Sequence, residues 1–501
     1  MGFLPKEEKC RKFHFAISRW YEILSKILSL LPINDAIRTS VLSIKWKYIW
    51  CNHTNLSLNK GTMRKPHVKG TMWRYLRDNE FVTRVNMVLR QHRGMEVEHM
   101  EIKFRLHGKH AEHIDRWVDF SIASKTKEFV IDLSGQDKNS FFLDLSCRKR
   151  SVTEEPYNLP SQLFSPTNGL YLRCLEFTTV SLKLPADFKG FVNLKSLSLV
   201  DVSITDEDVH CMLSKCNLLE SLEISYCRTV TRIRMLHPLD RLKHLVVDIC
   251  PILKEIELKC SPTTLKYSGT MVPLIFASIS RLTNLSILFL TYQSALSYLI
   301  TGFPSTLPRL ETLTLLCAER ERTIVPEGPF KFTYLRSLRL ELVFSGLGNT
   351  RKTDALDYAY ILKIAPFMET LEFSMWIKCL QQQPYCEEDG ELRITPPHQH
   401  AHLKSVRISG FFGCKDQLEL ALHILRNSTV LEKMVITPKV EISNDLTYDC
   451  CCEEEHYVDG YRVATEFVLK ADHHNVVDVV RVEPEFAETT VVEARKRRKT
   501  K

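Results

Sequence analysis

Two patterns of apolar residues follow one another along the chain, and the first has the period of short amphipathic helices. Between residues 22 and 32 the apolar positions share one helix face, and Pro32 then ends the helix. The positions on that face are Ile23, Leu24, Ile27, Leu28 and Leu31. A second helix is predicted over 36–42 and a third around Trp46 and Trp50. Three such helices bury too little apolar surface for an independent domain, so we expect them to pack against a partner or a larger domain.

The second pattern is a repeat of the form apolar-x-x-apolar-x-apolar, which occurs eleven times. Successive first positions such as Leu172, Leu194, Leu219 and Leu242 are 22 to 25 residues apart, a spacing typical of leucine-rich repeats. The interval from Leu242 to Leu253 is only 11 residues, which predicts a degenerate turn. The triplets are Leu172/Leu175/Phe177, Leu194/Leu197/Leu199, Leu219/Leu222/Ile224, Leu242/Leu245/Val247, Leu253/Ile256/Leu258, Leu285/Leu288/Leu290, Leu310/Leu313/Leu315, Leu335/Leu338/Leu340, Met368/Leu371/Phe373, Leu403/Val406/Ile408 and Leu431/Met434/Ile436.

This repeat predicts an α/β fold with parallel strands and helical or irregular returns. In each unit the apolar residues of the short strand turn inward, and one strand with its return cannot bury that face alone. The units must therefore stack into a solenoid. Residues 81–133 read as the first repeats, since a helical face beginning at Phe81 is followed by alternating strands at Ile102 and Phe129.

Composition and charge add limits on location and partners. No run approaches the eighteen apolar residues of a membrane span, and the charged N-terminal stretch is not expected to be a secretory signal. The sixteen cysteines are scattered and are expected to be reduced thiols. Much of the net charge of +8 lies in one basic C-terminal run, Arg495, Lys496, Arg497, Arg498 and Lys499. This run is a candidate nuclear-import signal or a solvated tail, and we expect the chain in the nucleus, the cytoplasm or both.

Catalytic and metal-binding chemistry is not predicted. The sequence has no phosphate-binding loop, dinucleotide fingerprint, zincin motif or nucleophile elbow. Cys450, Cys451 and Cys452 are adjacent, whereas paired thiolates of a zinc site need intervening residues. His398, His400 and His402 follow two prolines and are expected to be solvated in a loop. We therefore expect no cofactor, no metal and no activity of the chain's own.

The first helical stretch resembles a plant-type F-box in residue order and register. The matching segments include Glu22-Ile23-Leu24, Asp35-Ala36, Arg38-Thr39-Ser40-Val41-Leu42-Ser43 and Trp46-Lys47-Tyr48-Ile49-Trp50. F-boxes of this kind dock on the Skp adaptor of cullin-RING ubiquitin ligases, so the resemblance implies a substrate receptor. The docking residues that it implies are Ile23, Leu24, Ile27, Leu28, Leu31, Pro32, Leu42, Trp46 and Trp50.

The chain departs from that family at one interface anchor. The family places Leu-Pro just before the first helix, whereas this sequence reads Ser-Arg-Trp-Tyr-Glu over residues 18–22. Losing such an anchor costs roughly 1–3 kcal/mol of binding free energy. Trp20 is large and apolar, and is a candidate to fill the same pocket.

The repeats and the C-terminal region also resemble the plant F-box family with leucine-rich repeats. Strand markers such as Lys195-Ser196-Leu197 and Glu220-Ser221-Leu222 are of that style, and Gly413, Asn427 and Leu431-Glu432-Lys433-Met434 stand in the order of an FBD segment. The expected organisation is an F-box, a linker, a solenoid, an FBD-like capping segment and a low-order tail. Their bounds are 15–58, 59–75, 76–400, 401–440 and 441–501.

Three functional hypotheses remain open at this point. The first is a non-catalytic substrate receptor that binds the Skp adaptor, and through it a cullin, while the repeats bind a protein substrate. The second is a protein-interaction scaffold whose F-box is degenerate and no longer engages the adaptor. Nucleic-acid binding through the basic tail is the third and is not expected, because the charge outside that tail is close to balanced.

Overall fold

The computed structural model divides the chain into two compact units. The first is Met1–Leu242 with Cys250–Glu257, and the second is Lys243–Ile249 with Leu258–Lys501. The structure describes residues 23–24, 26–42, 46, 49–63, 76–93, 96–135, 155–165, 167–235, 237, 239–259, 262–276, 281–289, 307, 309–319, 331–344, 352–377, 383–394, 398–441 and 454–482.

The first unit begins with helical turns and continues with strands and helices in alternation. Residues 23–24 and 26–29 are helical, and 3₁₀ turns follow at Thr39–Val41 and Trp50–Asn52. The helices are α1 (Ile33–Arg38), α2 (Asp78–Gln91), α3 (Ala111–Ala123) and α4 (Asp206–Lys215). The strands are β1 (Asn55–Asn59), β2 (His99–Lys103), β3 (Glu128–Asp132), β4 (Tyr157–Asn158), β5 (Cys174–Thr178), β6 (Val180–Ser181), β7 (Ser196–Val200), β8 (Ser221–Ser225) and β9 (Arg232–Met235).

The sheet of the first unit is parallel throughout its main run. Strands β1, β2, β3, β5, β7 and β8 lie side by side in that order. Leu175 lies between Phe129 and Leu197 on the two neighbouring strands, and all three side chains are buried. Parallel strands need long return connections, and here the returns include α2 and α3. Trp117 Nε1 of α3 donates to Asn86 Oδ1 of α2 over 2.8 Å, which joins these two helices.

The second unit repeats the same alternation over its described residues. Its helices are α5 (Tyr360–Ile364), α6 (Lys415–Asn427) and α7 (Glu454–Val463), the last continued by a π-helical turn, Ala464–Leu469. Its strands are β10 (His244–Asp248), β12 (Thr264–Gly269), β13 (Leu274–Phe276), β14 (Asn284–Phe289), β15 (Thr312–Glu319), β16 (Ser337–Phe344), β17 (Thr370–Ile377), β18 (Ser405–Ser409), β19 (Lys433–Thr437) and β20 (Val477–Val479). Strand β11 (Glu255–Leu258) follows β10 in sequence, but its residues Glu255–Glu257 belong to the first unit, where it neighbours β9 in a small separate sheet.

The main run of the second unit is also parallel, in the order β10, β12, β14, β15, β16, β17, β18, β19 and β20. Strands β15, β16 and β17 each have eight residues, longer than most others. Leu313, Leu338 and Leu371 occupy one register row and are buried. The predicted solenoid of inward-facing leucines on parallel strands is therefore confirmed.

Several strands end in the same left-handed backbone turn. Thr179 (φ 59°) follows β5, Asp201 (φ 52°) follows β7, and Ile249 (φ 44°) follows β10. Gly410 takes this conformation after β18, where a Cβ atom would lie 1.8 Å from the Met375 carbonyl oxygen. A left-handed φ costs a non-glycine residue about 1–2 kcal/mol. The left-handed turn recurs after several strands, so the stacked repeats adopt it despite this cost in conformational free energy.

Paired strands are present beyond both predicted limits of the solenoid. Strand β1 pairs with β2 although it lies before residue 76, across the predicted border between F-box and linker. At the other end, residues 454–482 correct the expectation of a low-order tail after 441. There α7 is followed by β20, which pairs with β19, and Val463, Ala464 and Val468 are buried. The strand pattern of the repeats does not predict this segment, because its buried residues lie on α7 and on the π-helical turn that continues it.

One predicted triplet was placed in the wrong register, and one repeat was missed. The buried residues of β14 that align with neighbouring strands are Leu285 and Ile287, preceded by buried Leu282, so the triplet Leu285/Leu288/Leu290 was set three residues too far along. Strand β12 carries Leu265 and Tyr267 in the same rows. Strand β12 was not predicted, because Pro262 occupies the position of the first leucine in the pattern. The short interval after Leu242 is explained by β11, which lies outside the main run.

Candidate docking surface of the N-terminal helices

The first helical turns have one exposed and one buried apolar side. Ile27 is 49% exposed, whereas the adjacent Leu28 is 1% exposed. Leu30 is 85% exposed and lies seven residues after Ile23, which is exposed as well. Ile23, Ile27 and Leu30 recur at i, i+4 and i+7, the period of one helix face. This face therefore points to solvent while Leu28 points into the unit.

The residues around α1 divide in the same way. Ile33 and Ala36 are buried, and α1 contacts both β1 and the turn Trp50–Asn52. Val41 and Leu42, just after α1, are exposed. The first strand of the repeats thus covers the inner side of the helical region. The outer side keeps its apolar side chains in contact with solvent.

The structure separates the predicted docking residues into three groups. The exposed members are Ile23, Ile27, Leu31, Pro32 and Leu42. Leu24 and Trp46 are half-buried, and Leu28 and Trp50 lie in the interior. Leu28 and Trp50 therefore hold the helices together and offer no surface to a partner. Sequence reasoning missed Leu30 and Val41, although the i, i+4, i+7 spacing from Ile23 was a signal for Leu30.

The exposed apolar residues are concentrated in this region. Six of the nineteen large apolar side chains that are exposed among the described residues lie between 23 and 42. They are Ile23, Ile27, Leu30, Leu31, Val41 and Leu42. Exposed apolar side chains concentrated in one short segment are typical of an interaction site, because water solvates them poorly. The arrangement suits a protein partner with an apolar groove.

The outward strand faces of the repeats carry polar side chains bound to one another. In the first unit, Ser198 Oγ donates to Glu223 Oε2 over 2.7 Å, and Ser225 Oγ donates to Glu223 Oε1 over 3.2 Å. In the second unit, Arg339 Nε donates to the buried Glu341 over 2.8 Å, and Arg339 Nη1 to Glu372 over 3.2 Å. Ser198, Ser225 and Glu341 are buried, so the groups of these faces that a partner can reach are the half-buried Glu223 and Arg339.

The described residues show no constellation for metal chemistry and no membrane span. No group of three or more His, Cys, Asp or Glu side chains in them could hold a metal ion, and none of their helices is both long and apolar enough to cross a bilayer. The expectation of solvated histidines is wrong for His400, which is buried. Its Nε2 lies 3.0 Å from the Ala365 carbonyl oxygen, and its Nδ1 accepts from the Leu403 N–H over 3.1 Å.

Two buried cysteines, Cys216 and Cys317, are held as protonated thiols. Burial raises the pKa of Cys216 to about 11, and it also raises the pKa of Cys317. Since the thiolate is the reactive species, these side chains act as small core residues. Cys450, Cys451 and Cys452 lie outside the described residues, as do Trp20 and the basic run Arg495, Lys496, Arg497, Arg498 and Lys499.

Comparison with known proteins gives matches to two domain families. The profile of the F-box domain matches residues 21–58, and the profile described as At1g61320/AtMIF1, LRR domain, matches residues 88–476. The F-box/FBD/LRR-repeat protein At1g13570 of Arabidopsis thaliana is 27% identical over 423 residues, 83% of this chain and 89% of the relative. The FBD-associated F-box protein At1g61320 of the same plant is 23% identical over 445 residues, 85% of this chain and 89% of the relative.

A third relative matches a shorter part. The putative F-box/LRR-repeat protein At5g54820 of Arabidopsis thaliana is 30% identical over 212 residues, which is 41% of each chain. The repeat-domain profile alone spans well over half of the sequence, from α2 to the residue before β20. The chain therefore belongs to the plant F-box/FBD/LRR-repeat protein family.

Proposed function

We propose that this chain is the substrate-recognition subunit of an SCF-type cullin-RING E3 ubiquitin ligase. Its F-box docks on the Skp adaptor, and the adaptor links it to the cullin. The observation that carries this proposal is the exposed apolar surface formed by Ile23, Ile27, Leu30, Leu31, Val41 and Leu42. Burial of such residues in a partner's groove supplies the main free energy of helix-in-groove recognition.

In this proposal the repeats hold a protein substrate and the chain has no catalytic role of its own. Binding keeps a substrate lysine close to the charged conjugating enzyme, which raises the effective concentration of the two reacting groups. The polar strand faces around Glu223 and Arg339 are the kind of surface that such binding uses. The basic C-terminal run supports action in the nucleus as well as the cytoplasm.

The second candidate function is an interaction scaffold whose F-box has lost the adaptor. It is favoured by one observation, the missing Leu-Pro pair before the first helix. The adaptor-binding role of Leu31, Pro32, Leu42 and the half-buried Leu24 and Trp46 belongs to the first candidate alone. A measurement of adaptor binding therefore separates the two.

The test is co-purification of the full chain with a plant Skp adaptor, followed by a dissociation constant from calorimetry. A variant in which Leu-Pro is restored before the first helix serves as the positive control. Sub-micromolar binding by the natural chain supports the receptor function and indicates that Trp20 replaces the anchor. Binding by the restored variant alone would leave the scaffold function.

A further inference from the structure

A buried histidine joins the first F-box helix to the start of the repeats. His53 is 2% exposed, and its Nε2 lies 3.0 Å from the carbonyl oxygen of Leu28 and 3.0 Å from that of Leu31. These carbonyls lie at the C-terminal end of the first helix, where the Leu28 oxygen also accepts the Leu31 N–H over 3.0 Å. His53 lies only two residues before β1. One side chain, placed just before the first strand of the repeat array, therefore binds the end of the first helix.

The hydrogen bonds of His53 fix which ring nitrogen carries the hydrogen. Nδ1 lies 3.2 Å from the Asn55 backbone nitrogen and accepts its N–H. An accepting Nδ1 carries no hydrogen in the neutral ring, so Nε2 carries it and donates to the helix carbonyls. Both ring nitrogens are thus used, one toward the F-box and one toward β1.

The same short segment is held from the other side by the next repeat. His92 Nε2 lies 2.8 Å from the His53 carbonyl oxygen, and the His92 ring packs edge-on against Phe120 with centroids 5.4 Å apart. The Arg93 N–H donates to Cys51 O over 2.7 Å, and the Glu98 N–H donates to Thr54 O over 2.9 Å. Residues 51–54 are therefore bound to the F-box helix and to the first repeats at once.

We infer that His53 is a positioning residue, supported by His92, which fixes the direction in which the repeat array leaves the F-box. These two His53 hydrogen bonds are directional, whereas apolar packing such as that of the buried Leu28 is not. The consequence for ubiquitin transfer rests on the proposed function: a fixed direction holds the substrate at a constant distance from the conjugating enzyme. The coupling itself does not depend on adaptor binding.

The test is the distance distribution between two fluorophores on the free full-length chain. The labels are unnatural amino acids placed at the exposed Lys26 and Glu112. In H53A, loss of the two helix contacts corresponds to a roughly 5- to 100-fold larger population of detached arrangements, seen as a broader distribution. H53Q keeps a donor in reach of the helix carbonyls and is expected to narrow the distribution again. H99A, which removes a histidine paired with Glu128 elsewhere in the repeats, is the matched control and should match the natural chain.

Circular dichroism establishes that each variant is folded before its distances are compared. A natural distribution in folded H53A would overturn the inference. If H53A does not fold, H92F decides, because it keeps a ring against Phe120 and removes only the donor to His53. Broadening in H92F supports the coupling, and an unchanged distribution rejects it. Adaptor affinity of the same variants is measured separately, so loss of adaptor binding in the natural chain would reject the proposed function and leave this result intact.

Discussion

The adjacent residues Ile27 and Leu28 are predicted to have opposite roles, and the double variant I27A/L30A tests the outer one. Full burial of a large aliphatic side chain is worth about 1.5–3 kcal/mol. Ile27 has about half of its surface available to a partner and Leu30 most of it. Together they can contribute about 3 kcal/mol to adaptor binding, since half and most of such a burial add to roughly that value. Truncating both side chains should therefore raise the dissociation constant roughly a hundredfold.

The matched control is L28A, which changes the neighbouring interior position. Leu28 is almost fully buried, so its truncation should lower the free energy of unfolding by about 2–5 kcal/mol. The outer double variant should change that free energy by no more than about 0.5 kcal/mol per site, as surface substitutions do. Urea unfolding gives the stabilities, and calorimetric titration with the Skp adaptor gives the dissociation constants.

Two results would refute this reasoning. One is an I27A/L30A variant that is folded, stable and binds the adaptor as tightly as the natural chain. The exposed face would then not be the docking surface. The other is an L28A variant with unchanged stability, which would show that Leu28 is not part of the core.

Three further predictions concern stability. Lys125 lies two residues after the end of α3 and has φ 52°. K125G should be more stable than K125A by about 1 kcal/mol in urea unfolding, because glycine adopts this conformation without strain. Equal stabilities of the two variants would contradict the argument. R393A leaves the buried Glu419 carboxylate without its cation and should lower the free energy of unfolding by about 3 kcal/mol. R393A/E419Q should lower it by less, because no buried charge is left unpaired. Equal losses of stability in the two variants would contradict this explanation. Burial lowers the pKa of His92 and His400 below the usual value, so their stabilising effect is complete above about pH 6.5 and is lost as the pH falls. We expect the natural chain to unfold at a lower temperature at about pH 5 than at about pH 7.5. In H400N this change in unfolding temperature with pH should be smaller. An equal change in the natural chain and in H400N would contradict the role given to His400.

The strand positions of the repeats could be predicted because their apolar residues face a continuous interior. Leu197 and Leu222 occupy one register row, and each must be apolar whatever the return segments contain. The same logic failed at β14, where Leu285 and Leu288 are both apolar and only pairing with the neighbouring strands selects the register. It failed again at β12, since a proline at the first position breaks the pattern without breaking the strand.

The candidate docking surface could be predicted only in part. Helical period places Leu28 and Ile27 on adjacent positions of an apolar stripe, and the sequence does not say which of them faces the partner. That choice depends on where β1 packs, which is a tertiary contact between segments more than twenty residues apart. The family resemblance implied all of the docking positions together. Trp50 and Leu28 were therefore among the predicted docking residues, although the structure places both in the interior.

The sequence pattern changes between the F-box and the repeats, but the packing is continuous across that border. The match to the F-box profile ends at residue 58, inside β1, and that strand pairs along its length with β2. The inner side of the short helices is covered by this strand, and His53 binds the end of the first helix from the same segment. Three short helices lack the apolar area to be stable alone, so the repeat array supplies the missing core. In the proposed receptor, the contacts that stabilise the F-box would also fix the direction of the repeat array.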